Sequence, residues 1–137
     1  MTEPAVAVVL DTGSIVAFAR GDTRVAEVIV ETAAQHAVVG VSAVGLLSAY
    51  GAVGADPVAR ARLGLLAVLP AVRVLAMTAQ TVRPAAAAMP HCTDLAGVHA
   101  VWATAEHRAY YVTVDPAEAP EYLESWQIYP LAPPGAQ

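Results

Sequence analysis

The chain has 137 residues, enough for one domain with a core of its own, and its single cysteine, Cys92, excludes an internal disulfide. Its mean hydropathy of +0.53 raises the question of a membrane span, but the longest apolar stretch, 63–72, is too short, contains Pro70 and is flanked by Arg62 and Arg73. Seven basic residues, all arginines, against twelve acids give a net charge of −5, which argues against a protein that grips nucleic acid through a broad basic surface.

Residues 5–10 form an unbroken apolar run of strand length, the pattern of a strand covered on both faces. No basic region precedes this run and it stops at Asp11, so it does not read as a secretion signal; a cytoplasmic protein without membrane association is expected. Thr12, Gly13 and Ser14 read as a short polar turn before a brief helix over 15–19. Asp22 or Thr23 caps a second helix, in which Val25, Val28 and Ile29 share a stripe opposite Arg24, Glu27 and Glu31. The next buried strand is 37–41, and Ser42 sits at the cap position of an apolar helix over 43–53. Asp56 and Pro57 open a helix that runs to about Leu69.

Residues 72–76 read as a third strand, and Thr78 or Thr81 opens an alanine-rich helix ending near Met89 and Pro90. Thr93 is the expected cap of the next helix, with Leu95, Val98, Trp102 and Ala105 on its buried face. A fourth strand spans 110–114 and ends at Asp115-Pro116, and 125–129 reads as a short fifth. The segment 132–137, with two prolines and a glycine, reads as a frayed tail after a single domain over 1–131. Strands alternating with helices predict a three-layer α/β/α sandwich around a mostly parallel sheet of about five strands.

In such a sheet ligands collect beyond the carboxyl ends of the strands. Asp11 ends the first strand and Asp115 the fourth, while Asp94 lies in the first turn of the helix that leads into the fourth, where the backbone dipole favours an anion. Three crowded carboxylates repel one another unless a cation binds, and Mg²⁺ or Mn²⁺ suits all-oxygen donors. Aspartate is also an ordinary cap and turn residue, so each of the three has a purely structural alternative. His91, Cys92, Asp94 and His99 match no common zinc spacing.

The run from Val9 to Phe18, with Asp11 delivered to Thr12-Gly13-Ser14, resembles the opening of PIN domains. The later stretch from Asp94 to Ala100, followed by Thr113-Val114-Asp115, resembles that family's closing half, where a second aspartate opens a helix and a strand ends in Thr-x-Asp. The resemblance covers residues 5–131. It implies a Mg²⁺- or Mn²⁺-dependent ribonuclease with Asp11, Asp94 and Asp115 as catalytic metal ligands, of the kind found as the toxin of VapBC-type toxin–antitoxin pairs. It implies RNA as substrate, an antitoxin or other protein as partner, and a homodimer through the helices of 43–69. The family's usual glutamate in the helix after the second strand is replaced: Ser48 stands in the phrase Leu46-Leu47-Ser48-Ala49-Tyr50. A catalytically degenerate domain acting as a binding or regulatory module is the alternative.

Overall fold

Strands β1 (Val6–Leu10), β2 (Val38–Ser42), β3 (Val72–Leu75), β4 (Tyr110–Thr113) and β5 (Ile128–Pro130) form one parallel sheet in the order β3-β2-β1-β4-β5. This is the arrangement in the computed structural model, which describes residues 3–131. The tail expected over 132–137 lies outside the described residues. Helices α1 (Thr12–Ala19), α2 (Thr23–Ala34), α3 (Ala43–Val53), α4 (Pro57–Val68), α5 (Ala79–Ala85) and α6 (Leu95–His107) connect and cover the strands. The expected three-layer α/β/α architecture is the one found, with every strand pair parallel.

The uninterrupted apolar strands follow from burial on both faces. On one face Val8, Leu10, Val39, Val41 and Val112 pack with Ile15, Val25, Ile29, Leu63 and Leu66 of α1, α2 and α4. On the other, Val6, Val9, Val38 and Tyr111 pack with Val98, Ala100 and Val101 of α6. Gly40 of β2 leaves room between the layers: a methyl group there would stand 2.9 Å from both Leu75 Cδ1 and Val6 Cγ1. Among the described residues no helix is long and apolar enough to cross a membrane. Leu47 and Val68 are exposed on α3 and α4, within the segment expected to self-associate.

Local differences from the expectations have identifiable causes. Residues 12–14 are not a separate turn; Asp11 caps α1 directly, so its first turn absorbs them. Likewise Asp94, not Thr93, caps α6. That places Leu95 at the first helical position, where it is 66% exposed instead of buried with Val98. The alanine-rich helix ends at Ala85 and continues as a 3₁₀ helix over Ala86–His91, because Pro90 lacks a donor and disfavours α geometry at Met89. Ser125–Gln127 is a 3₁₀ turn, which shortens β5. Gln127 holds this turn: its Oε1 accepts from the Glu124 N–H at 3.1 Å and its Nε2 donates to the Ala109 carbonyl at 3.0 Å.

Candidate functional site

Asp11 leaves the sheet without leaving its ladder: its N–H donates to the Val112 carbonyl of β4 at 2.9 Å. Its Oδ1 turns back to accept from the Ser14 N–H at 2.7 Å, and the buried Ser14 hydroxyl donates to the same Val112 carbonyl at 3.2 Å. The polar Thr-Gly-Ser sequence thus both starts α1 and ties its first turn to β4. At Gly13 the backbone passes close to the end of β4: a β-carbon would lie 2.5 Å from Val114 Cγ2 and would have to displace that side chain. Asp94 repeats the device on α6, with Oδ1 accepting from the Gly97 N–H at 2.7 Å. Asp115 follows β4, where its N–H donates to Thr113 Oγ1 at 3.0 Å.

Asp11, Asp94 and Asp115 all line one cavity of about 220 Å³ at the carboxyl edge of the sheet. Three separate elements therefore bring the three predicted acids together. Thr12, His91, Cys92, Thr93, Tyr111 and Thr113 complete most of the polar wall. No arginine is among the lining residues, so the cavity is anionic.

The cap bonds engage one oxygen each of Asp11 and Asp94, and Asp115 makes no side-chain hydrogen bond among the described residues. Carboxylate oxygen left uncommitted in this way is the donor chemistry that suits Mg²⁺ or Mn²⁺. The carboxylates share the cavity without converging on one point: among the described residues no group of three or more His, Cys, Asp or Glu side chains is placed to hold an ion together. Mg²⁺ commonly takes one or two carboxylates and keeps several waters, so the donor set fits a hydrated cation. Burial, and then the charge of Asp94, push the Cys92 thiol upward, toward its protonated form.

No protein-family model matches the chain, and no curated protein matches it. The functional reading accordingly stands on the cavity and its chemistry. Ser48 is exposed on α3 and does not line the cavity, nor does any other residue of that helix. Thr113 is buried in the wall and accepts from the Asp115 backbone. Trp126 lies elsewhere, edge-on to Tyr110 with ring centroids 5.7 Å apart. Sequence reasoning missed Tyr111, which reads there as an ordinary aromatic strand residue; nothing in a single sequence says that it lines the same cavity as the acids.

His99, considered above only as part of a zinc pattern, is fully buried beneath the start of α3. Its Nδ1 accepts from the Val44 N–H at 3.4 Å, and its Nε2 has no hydrogen-bond partner among the described residues. Burial lowers its pKa from 6.5, with the Ala76 carbonyl pulling weakly the other way. The folded chain therefore binds this proton less readily than the unfolded chain. Stability is complete above about pH 6.5 and falls as the pH drops below it toward the lowered folded value. Urea midpoints at descending pH should show this loss, and His99→Gln should flatten it; an identical slope in the variant would exclude His99 as its source.

Proposed function

We propose that this protein is a metal-dependent phosphodiesterase acting on RNA, as the resemblance to PIN-domain ribonucleases implies. One observation carries the reading: carboxylates from three separate elements line a single cavity at the edge of a parallel sheet where ligands collect. The uncommitted carboxylate oxygens of Asp11, Asp94 and Asp115 are the groups to hold a hydrated cation and orient an attacking water. A bound divalent cation would supply Lewis-acid stabilisation of the charge that develops on the phosphodiester. A second cavity shares Gly13 with the first and is lined by Arg20 and Arg24. Arg24 is paired with Asp22, whereas Arg20 has no acidic partner among the described residues. That leaves Arg20 as the cation for a strand leaving the acid cavity. An antitoxin partner and a homodimer belong to the same proposal.

The test is cleavage of single-stranded RNA by purified protein in Mg²⁺ or Mn²⁺, with a chelator as control. Metal-stimulated cleavage is expected. RNA left intact in both metals would remove the enzyme reading.

The second reading, a degenerate domain that binds without cleaving, is favoured by Ser48 and by carboxylates that do not converge on one ion. Ser48→Glu separates the two. Because Ser48 is exposed and outside the cavity, the variant should bind Mn²⁺ by calorimetry within about twofold of the natural protein, far from the ~10–100-fold effects seen at groups that shape a metal site. A tenfold or larger gain, on the order expected for completing a site, would support the degenerate reading.

A further inference from the structure

Tyr111 is a largely buried polar group in the cavity wall whose role the acids do not explain. It is the second residue of β4, opposite Val9 of β1 and Ile128 of β5. Its ring packs with Val98, Val101, Cys92 and Leu123, and the residue is only 7% exposed. A tyrosine buried to this extent ordinarily satisfies its hydroxyl. The Tyr111 hydroxyl makes no hydrogen bond among the described residues and is not one of their fully buried unpaired atoms, so it reaches solvent, and Tyr111 lines the cavity beside Asp11 and Asp94. Burial, followed by the charges of Asp11 and Asp94, drives its pKa well above the ordinary phenol value. The group is thus a neutral O–H, a donor lining the same cavity as the acids and without a hydrogen-bond partner among the described residues.

An anionic cavity without arginine has a difficulty with an anionic substrate. Neutral donors can contact phosphate oxygens without neutralising the acids that hold a cation. We propose that the Tyr111 hydroxyl donates to a non-bridging phosphate oxygen of a nucleotide strand held in this cavity, fixing the phosphate against the three acids. The inference rests on the phosphodiesterase reading and adds the group that recognises the substrate's phosphate. Its consequence is that the hydroxyl, not the ring, matters for binding.

Tyr111→Phe in the full chain removes the donor and keeps the ring packed, which an unchanged melting temperature verifies. Two measurements follow. Calorimetric binding of adenosine monophosphate in Mg²⁺ should weaken about tenfold, the order for losing a hydrogen bond to a charged group. RNA cleavage should fall about 100-fold, the order for losing one donor aimed at a developing charge. If the natural protein cleaves no RNA but the variant still loses nucleotide affinity, the phosphodiesterase reading fails and the phosphate contact stands. Equal nucleotide binding by both proteins, or none by either, overturns the contact whatever the cleavage assay shows.

Discussion

Asp11→Asn is expected to reduce metal-stimulated RNA cleavage by about 100-fold or more, because even groups that only orient a metal ligand are worth ~10–100-fold. The substitution is informative because Asp11 has two jobs. Its Oδ1 caps α1 through the Ser14 N–H, and the carboxylate as a whole faces the cavity with Asp94 and Asp115. Asparagine caps a helix about as well as aspartate, so the fold should be unaffected while the charge is lost. Asp11→Ala loses both, and its melting temperature should drop by the equivalent of ~1 kcal/mol, the typical worth of a cap. Comparing the two variants separates chemistry from architecture. An Asn variant that cleaves at the natural rate would show that the charge of Asp11 has no part in the reaction.

Leu10→Ala should be the most damaging of the conservative core substitutions. Leu10 is 0% exposed in β1, the central strand, and belongs to the layer containing Ile15, Val41, Leu63 and Val112. Truncation removes apolar contacts and leaves a cavity between strands that cannot collapse far, at a cost of ~3–4 kcal/mol. Against a total of about 5–15 kcal/mol for a natural domain this is a large fraction. A melting temperature lower by ~10–15 °C is the corresponding shift for a chain of this size. Leu47→Ala, on the exposed surface of α3, should change stability by no more than ~0.5 kcal/mol. Similar losses from both would mean that Leu47 is covered in solution.

The strands and most helix starts were legible because they are governed by local chemistry. Apolar runs covered on both faces, and Asp22, Ser42 and Asp56 before helical periodicity, mark positions that the structure uses as expected. The misplaced details involve competition between neighbours. Thr93 and Asp94 both suit a cap, and the structure uses Asp94, whose side chain accepts from the Gly97 N–H. The 125–129 segment has strand-like residues, but Gln127 binds backbone carbonyls of the preceding helix and loop and pulls its first half into a turn. The gathering of Asp11 and Asp115 follows from a parallel sheet in which β1 and β4 are neighbours, and Asp94 joins them as the cap of the helix that leads into β4. Tyr111 and the exposure of Ser48 were not legible, because they depend on how far a side chain reaches and on which way a helix is rotated.

The sheet order also constrains how the protein is made. β1 lies between β2 and β4, so one of its two edges pairs with a segment that follows it by roughly a hundred residues in the chain. At translation rates of about 5–20 residues per second, that edge waits ~5–20 s for its partner to be synthesised. During that interval the nascent chain carries an apolar strand of valine and leucine with unpaired backbone on one side. Completion of the sheet's centre is therefore a late event in biosynthesis, and the early half of the polypeptide is the part with most need of chaperone protection.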